Sequence, residues 1–287
     1  NHRPSLVLRV DATTPVQTWS SDGKAYVLAY QNTVSTFVES KLYRKLSNHT
    51  HVISCVAISS EPYHLAIGSL RGGVQFVSND KKKPTITLLQ SFSIANVRFS
   101  HDDALLAVAS LDGHVGVWRT LNLLNGSARA EWHDALEDKS GTRVTDISFS
   151  PSSTFLAIAC WSGSVYLYHV KRSYQRLCIL YRDRVSDPVH AIVSTTLLSS
   201  SLLSNSTSTS LPSLDSTGSL RGGTYVLFSK NERQIFISFD DRIVRYDRCR
   251  GIDRFRRHVL VSSSSTSIRG ICMIDSSVLC YVRDAGA

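Results

Sequence analysis

The sequence predicts an all-β fold of the β-propeller type, because one strand-turn-strand unit recurs along it with a period of about forty residues. The clearest unit runs from Asn96 to Trp118 and reads NVRFSHDDALLAVASLDGHVGVW. Apolar and polar residues alternate in three short stretches of it, which is typical of half-buried strands. A Ser- and Asp-containing break and Asp112-Gly113 separate these stretches, as tight turns require. The unit therefore predicts three consecutive antiparallel strands.

Further copies of this unit share small or branched apolar residues at equivalent places. They are Cys55–Val77, Asp146–Tyr168, the weaker Thr18–Phe37 and Leu227–Asp247, and an incomplete copy from Ile268. Three strands with a variable fourth form one blade of a propeller. Residues 1–287 are thus predicted to form a single, partial propeller of about five four-stranded blades plus a truncated sixth. We expect the chain to be a fragment of a larger propeller protein.

The repeat spacing predicts where each blade begins and ends. The predicted blades cover residues 14–46, 51–90, 92–133, 141–182 and 224–261, and the sixth begins at 268. Residues 5–11 are expected to form a lone strand, and residues 121–140 a loop that carries Trp132-His133-Asp134. Residues 197–223 are rich in Ser and Thr and predict a low-complexity insertion loop, which is either a tolerated insertion or a segment regulated by phosphorylation.

Small residues recur on the predicted second strands of blades two to four. They are Ala66, Gly68, Ala107, Ala109, Ala157 and Ala159. Small side chains let neighbouring sheets approach closely, so we expect the blades to pack against one another at these positions. We also expect every apolar residue at the equivalent repeat positions of these three blades to be buried.

The motifs within the repeats resemble those of the WD40-repeat family. They are Phe149-Ser150-Pro151, Ser110-Leu111-Asp112-Gly113, Val117-Trp118 and, in place of the family's Gly-His, Asn48-His49. The resemblance covers about residues 14–287 and implies a WD40-like propeller. No repeat ends in an intact Trp-Asp, since Trp118 and Tyr168 are followed by basic residues and only Tyr246-Asp247 keeps the acid.

The resemblance also implies structural roles for five repeat positions. They are His49, Asp112, Trp118, Tyr168 and Tyr246. The histidine is expected to form a hydrogen bond within its own blade, and the aspartate to tighten the turn between the second and third strands. The three aromatic residues take the place of the family's tryptophan.

Residue patterns for catalysis or for a metal are missing from the sequence. His49 and His51 share one face of an extended segment but lack a third ligand, and His133-Asp134 has no companion ligands. No nucleophile elbow, phosphate-binding loop or HExxH helix is present. We therefore expect a protein that is not an enzyme, with no cofactor, no metal and no small-molecule substrate.

Two further features bear on the compartment. No run of about 18 apolar residues occurs, so no membrane partner is expected. The six cysteines form no CxxC pair and no disulfide framework, which favours a reducing compartment. We expect an intracellular protein, cytoplasmic or nuclear.

The positive charge is concentrated in one segment. The net charge is +9, and residues 221–258 hold ten Arg or Lys against five Asp or Glu. The candidate basic face consists of Arg242, Arg245, Arg248, Arg250, Arg254, Arg256 and Arg257, and Lys81, Lys82 and Lys83 form a second basic loop. Such a face suits an acidic partner, either RNA or an acidic protein surface such as a tubulin tail. The alternative is a merely solvated outer face, because aspartates are interleaved with the arginines.

These observations leave two classes of function. The first is a non-catalytic protein-interaction scaffold, in which a propeller platform binds other proteins of a larger complex. The second is an RNA-associated assembly factor or ribonucleoprotein component that binds through the basic face. Binding to microtubules or to another acidic surface is a less favoured third interpretation.

Overall fold

The strands fall into antiparallel sheets that follow one another in chain order. This computed structural model describes residues 16–47, 49–80, 82–89, 92–136, 143–181, 185–186, 225–239, 242–249, 255–262, 268–275 and 278–283. The lone strand predicted at 5–11 and the insertion predicted at 197–223 lie outside these residues. Within them, each sheet is a hairpin meander whose neighbours in sequence are also neighbours in the sheet.

The first two blades have four strands each. Blade one contains β1 (Val16–Trp19), β2 (Ala25–Tyr30), β3 (Thr33–Val38) and β4 (Lys41–Leu46). Blade two contains β5 (Ile53–Ile58), β6 (Leu65–Ser69), β7 (Gly73–Val77) and β8 (Ile86–Leu89). Both lie within the predicted ranges.

Blades three and four follow the two strongest repeats. Blade three contains β9 (Ile94–Phe99), β10 (Leu105–Ser110), β11 (His114–Arg119) and β12 (Trp132–Ala135). Blade four contains β13 (Val144–Phe149), β14 (Phe155–Cys160), β15 (Val165–His169), β16 (Gln175–Leu180) and a short fifth strand, β17 (Val185–Ser186).

The last two sheets complete the described chain. Blade five contains β18 (Tyr225–Phe228), β19 (Gln234–Ser238), β20 (Arg242–Arg248) and β21 (Phe255–Ser262), and the sixth sheet contains β22 (Ile268–Asp275) and β23 (Val278–Arg283). The prediction of five full blades and an incomplete sixth is confirmed for these residues.

Part of one predicted loop is regular structure. The segment 121–140, expected to be a loop, begins with the short helix α1 (Thr120–Leu124) and contains β12. Trp132, His133 and Asp134 therefore lie on the fourth strand of blade three and not in a loop. Trp132 stacks on Tyr174 of blade four with 4.8 Å between ring centroids, so the strand is held by tertiary contacts that its own sequence does not show.

The blades are arranged around an axis lined by their first strands. Each first strand contacts the first strand of the next blade, from β1 through β5, β9, β13 and β18 to β22. Four hydrophobic clusters fill the spaces between consecutive blades, from blades one and two to blades four and five. The core is thus a series of layers between sheets, as in a propeller.

The small residues lie inside these layers, as predicted. Ala107 and Ala109 are fully buried against blade four, and Ala157 and Ala159 against blade five. A β-carbon at Gly68 would come within 2.8 Å of the Ile94 Cγ2 atom on the neighbouring blade. The absence of a side chain there therefore sets how closely blades two and three approach.

The prediction of complete burial fails at one position. Phe99 is only half-buried, whereas its counterpart Phe149 in blade four is 3 % exposed. Phe99 lies at the margin of the cluster between blades two and three and meets Phe76 edge-on, at 6.5 Å between ring centroids. Its ring packs against the edge of the hydrophobic layer between blades two and three and stays partly exposed.

The turn between the first two strands closes in the same way in five blades. It begins with a buried serine whose Oγ accepts a hydrogen bond from the backbone N–H five residues later, at 2.8–3.1 Å. The five serines are Ser20, Ser59, Ser100, Ser150 and Ser229. We call the side of the ring that carries these turns the Ser-turn face.

Hydrogen bonds connect the turns of successive blades. The links are Ser21 Oγ to Ser60 Oγ at 2.7 Å, Ser60 N–H to Asp103 at 2.9 Å, Ser153 Oγ to Asp102 at 3.0 Å, and Ser152 Oγ to Glu232 at 2.7 Å. Asp103, Ser153 and Glu232 each lie three residues after the turn serine, with a left-handed φ of 55–57°. One turn geometry therefore forms the link to the preceding blade three times.

Candidate interaction surface

The side of the ring opposite the Ser-turn face carries two kinds of loop. One is the connector that leads from each fourth strand into the next blade, and the other is the turn between second and third strands. In blades two, three and four the first residue of this turn donates its N–H to the connector residue that precedes the blade, at 2.7–3.0 Å. We call this side the connector face. Its loops are held to a rigid ring, which is a setting that suits binding.

Three large apolar side chains are exposed on the connector face. Val52 and Phe92 lie on connectors, Leu70 begins a turn, and they are 51 %, 55 % and 49 % exposed. Leu70 N–H donates to the Val52 carbonyl at 3.0 Å, and Ser93, next to Phe92, donates its hydroxyl to the Leu70 carbonyl. The backbone therefore places the three residues side by side. We call Val52, Leu70 and Phe92 the connector patch.

The connector patch continues onto the next blades with half-buried residues. Leu111 and Trp161 occupy the place of Leu70 in blades three and four. Leu111 N–H donates to Ser93 at 2.9 Å, which ties blade three to the patch. Leu111 and Trp161 are not among the residues predicted to bind a partner. Their positions in predicted turns are a signal in the sequence, because turns usually carry polar residues.

His49, predicted from the resemblance to have a structural role, lies at the entrance to blade two. Its ring Nδ1 atom is 2.9 Å from Gln75 Oε1 on β7. Its backbone N–H donates to the Asn32 carbonyl of blade one at 3.2 Å. Its Nε2 atom is buried and has no hydrogen-bond partner within the described residues. His51 is exposed beside it.

Asp112 lies in the turn of blade three that precedes β11. Its carboxylate accepts a hydrogen bond from Ser110 Oγ and one from His114 Nδ1 at 2.7 Å. Burial opposes ionisation, but these hydrogen bonds outweigh it and lower the pKa of Asp112. Gly113 follows with a φ of 94°, a conformation that suits glycine.

The three aromatic residues at the Trp position each use their polar atom. Trp118 Nε1 donates to the Ala128 carbonyl at 2.9 Å, within blade three. The Tyr168 hydroxyl donates to Asp134 on β12 at 2.8 Å, and the Tyr246 hydroxyl donates to the Tyr181 carbonyl. These are the polar contacts of buried rings, and the two tyrosines tie a third strand to the outer strands of the preceding blade.

Two arginines of the predicted basic face contact other side chains among the described residues. Arg245 is paired with Asp247, with Nε 3.0 Å from Oδ1, and His258 lies 3.2 Å from the same carboxylate. Arg248 extends the other way, over the ring of Phe155 in blade four, at 4.6 Å from its centroid. Arg245 and Arg248 thus project to opposite sides of β20, as strand alternation predicts.

The remaining members of the basic sets are distributed as follows. Arg242 and Arg257 are half-buried, Arg256 is exposed, and Lys82 and Lys83 are exposed on the turn between β7 and β8. Arg250, Arg254 and Lys81 lie outside the described residues. The lysine turn is on the Ser-turn face, opposite the connector patch.

A buried carboxylate at the ring axis was not foreseen. Asp146 on β13 accepts hydrogen bonds from Asn96 Nδ2 at 2.8 Å, from its neighbour Ile147 N–H at 3.0 Å and from Val226 N–H of blade five at 3.1 Å. Arg98 Nη2 lies 3.9 Å from Asp146 Oδ1, and Arg98 Nη1 donates a hydrogen bond to Thr18 Oγ1 of blade one at 3.3 Å. Burial raises the pKa of Asp146 against the opposing effect of Arg98 and the hydrogen bonds. This network ties four blades together.

Two absences concern metal ions and membrane spans, each stated for the described residues. No group of three or more His, Cys, Asp or Glu side chains in that part of the chain is arranged to hold a metal ion. Among the same residues, none of the helices has both the length and the apolar character needed to cross a membrane.

Comparison by sequence connects the strongest repeats to a known family. Residues 97–177, from β9 to β16, match the family described as "Anaphase-promoting complex subunit 4 WD40 domain". This stretch contains most of blades three and four, which are the two blades with the clearest repeat pattern. No curated protein matches the chain.

Comparison by structure extends the likeness to nearly the whole chain. A chain in the "Crystal Structure of Mitotic Checkpoint Complex" matches with a TM-score of 0.64 over 91 % of this chain and 71 % of that chain, at 13 % sequence identity. It is one of 1569 matching chains, so the match defines a widespread fold and not a partner. With the repeat motifs and the stacked four-stranded sheets, these findings show that the chain has a WD40-like β-propeller fold, and that residues 97–177 are similar to the matching WD40 domain family.

Proposed function

We propose that this chain is a non-catalytic protein-interaction scaffold, a propeller platform that binds other proteins of a multi-protein assembly through its connector face. The observation that carries the proposal is the connector patch. Val52, Leu70 and Phe92 are about half exposed on loops held to a rigid ring. Adjacent exposed apolar side chains often mark a protein-interaction site, whereas single scattered ones are normal on a protein surface.

The two comparisons support this function. The matching family is named for a subunit of the anaphase-promoting complex, and the matching structure is that of a mitotic checkpoint complex. Both names refer to assemblies of several proteins. We take from them the use of this kind of propeller within an assembly. The cysteine pattern of the sequence supports a place in the cytoplasm or nucleus.

The experiment replaces the connector patch and compares what co-purifies with the protein. The variant is Val52→Asp with Leu70→Asp and Phe92→Asp, and the matched control is Leu121→Asp on α1, which is 66 % exposed. We expect the triple variant to lose the proteins that accompany the wild type, and the control to keep them. Because all four side chains are exposed, thermal unfolding should be nearly unchanged in each. Equal recovery of partners by the triple variant would refute the proposal.

The RNA alternative and the acidic-surface alternative rest on the net charge of +9. Ion pairing of Arg245 and the stacking of Arg248 occupy two of the seven arginines. The same co-purification separates the alternatives. RNA held by basic strands would be released steeply as salt increases and would be unaffected by the connector-patch variant, whereas proteins held by an apolar patch would stay bound in salt.

A further inference from the structure

A polar pocket opens beside the connector patch. It has a volume of about 270 Å³ and lies between blade two and the connector that enters it. Its floor is formed by the buried Ile53 and Ile67, and exposed side chains stand at its mouth. The polar residues that line it are His49, Thr50, His51, Ser69, Arg71, Gln75 and Thr87.

The chemistry of this lining favours an anion. Arg71 supplies a fixed positive charge, two histidines add nitrogen atoms, and three hydroxyl groups add donors. No Asp or Glu lines the pocket, and Arg71 forms no ion pair with any residue that the structure describes. His49 Nδ1 lies 2.9 Å from Gln75 Oε1 and is the donor in that contact, so Arg71 and the hydroxyl groups are the donors that the lining offers to a ligand. The pocket therefore presents several donors, with no anion of its own.

Two residues that line the pocket are chain neighbours of the connector patch. His51 precedes Val52 in the chain, and Arg71 follows Leu70. The hydrogen bond from Leu70 N–H to the Val52 carbonyl, at 3.0 Å, holds the two segments together. A peptide that covers the patch with an apolar side chain would thus place a neighbouring side chain at the mouth of the pocket.

We propose that this pocket binds the phosphate group of a phosphorylated serine or threonine in a partner peptide whose apolar side chain rests on the connector patch. A phosphate has more acceptor oxygens than a carboxylate, and it carries nearly two negative charges at neutral pH. It can use the guanidinium fork and the hydroxyl donors at the same time. The proposal deepens the proposed function, on which it rests.

The first test measures peptide binding to the whole chain. Three peptide arrays share the same degenerate sequences, with an apolar residue near the central position. The central residue is phosphoserine or phosphothreonine in the first array, unmodified serine or threonine in the second, and glutamate in the third. We expect retention of the phosphorylated array alone. Arg71→Gln should weaken binding of the retained peptides about tenfold or more, because it removes a charge-assisted contact. The control Arg129→Gln, an exposed arginine on the other face, should not.

A second measurement uses inorganic phosphate as the probe. Adding it should shift the imidazole NMR signals of His49 and His51, and leave those of His101, exposed in a Ser-turn, in place. Thr87→Val, which removes one hydroxyl from the lining, should reduce the shifts without changing the melting temperature. Equal retention of all three arrays, retention of the glutamate array as strong as that of the phosphorylated one, or equal loss in Arg129→Gln would overturn the proposal.

The two proposals can fail separately. If no phosphopeptide binds but the connector-patch variant still loses its partners, the scaffold function stands and the pocket is not its phosphate site. If phosphopeptides bind through Arg71 but co-purifying proteins are unaffected by the connector-patch variant, the pocket is a phosphate site and the proposed partner face is wrong.

Discussion

Single buried serines close the five turns of the Ser-turn face. Each Oγ takes the place of a backbone acceptor inside a hairpin, so its loss leaves a buried N–H without a partner. The pattern was only partly visible in the sequence, because serine is common in turns and only Phe149-Ser150-Pro151 has the familiar context. The sequence does not show that each serine Oγ lies within hydrogen-bonding distance of the backbone N–H five residues later.

Replacing one of these serines should destabilise the fold. Ser100→Ala removes the acceptor of Leu105 N–H, at 2.9 Å, and the donor to Asp102, at 2.6 Å. We expect a loss of about 1–3 kcal/mol in the free energy of unfolding, measured by chemical denaturation. The control Ser127→Ala, at an exposed position, should change it by less than about 0.5 kcal/mol. Equal stability of the two variants would mean that the Ser100 hydroxyl is dispensable.

Enlarging a small residue between blades should also destabilise the fold. Ala107 is fully buried against blade four, and Ala107→Leu would force extra methylene groups into a filled layer. The expected cost is about 1–3 kcal/mol in the free energy of unfolding. Ala135→Leu on the exposed side of β12 is the matched control. An unchanged melting temperature for Ala107→Leu would show that the second strand of blade three is misplaced.

At the scale of the element, the strands could be predicted where the pattern is local. Alternation and small residues define the first three strands of blades two to four from short stretches of sequence. The strand β12 was not predicted from the sequence, because its four residues follow a short helix. It is held by the stacking of Trp132 on Tyr174 and by the hydrogen bond from Tyr168 to Asp134. Those contacts join residues more than thirty positions apart, and no local pattern reports them.

The link between blades four and five should make stability depend on pH. Burial opposes ionisation of Glu232, but hydrogen bonds from Ser152 and Ser150 outweigh it and lower the pKa of Glu232 below its usual range. A carboxylate with a lowered folded-state pKa stabilises the fold above the unfolded-state value and loses that contribution as pH falls through the folded-state value. The stability difference between wild type and Glu232→Gln should therefore be present at pH 7 and decrease as the pH falls below the unfolded-state pKa of a glutamate, about 4.3.

Denaturation curves at several pH values check this prediction. Glu39→Gln, at an exposed position, serves as the control and should give a small difference at every pH. A difference for Glu232→Gln that stays constant from pH 7 to pH 3 would contradict the ionised link between the two turns.

The carboxylate at the ring axis should matter more than the arginine beside it. Asp146→Ala leaves the N–H groups of Ile147 and Val226 without their acceptor, so we expect a loss of about 2–4 kcal/mol in unfolding free energy. Asp146→Asn keeps one acceptor oxygen and should lose less. Arg98→Ala should cost about 1 kcal/mol or less, because its side chain is 42 % exposed. A larger loss for Arg98→Ala than for Asp146→Ala would reverse this assignment.

At the scale of the whole molecule, the sequence predicted the propeller better than its surfaces. The repeat period can be read along the chain. The basic face was predicted from the number of arginines in one segment, and their side-chain contacts cannot be read from that number. The structure pairs Arg245 with Asp247 and lays Arg248 on Phe155 of another blade, which no spacing along the chain indicates. The connector patch likewise arises only when the turns and connectors of blades two and three meet at one face.

Hydrogen exchange of the affinity-purified assembly, compared with the isolated chain, tests the scaffold account most directly. If the connector face binds the partner, amides in residues 49–53, 70–73, 92–94 and 111–113 should exchange more slowly in the assembly, and those of the Ser-turns should not change. If protection instead falls on the Ser-turn face or on β20 and β21, while residues 49–53 and 70–73 exchange as in the isolated chain, the account is contradicted.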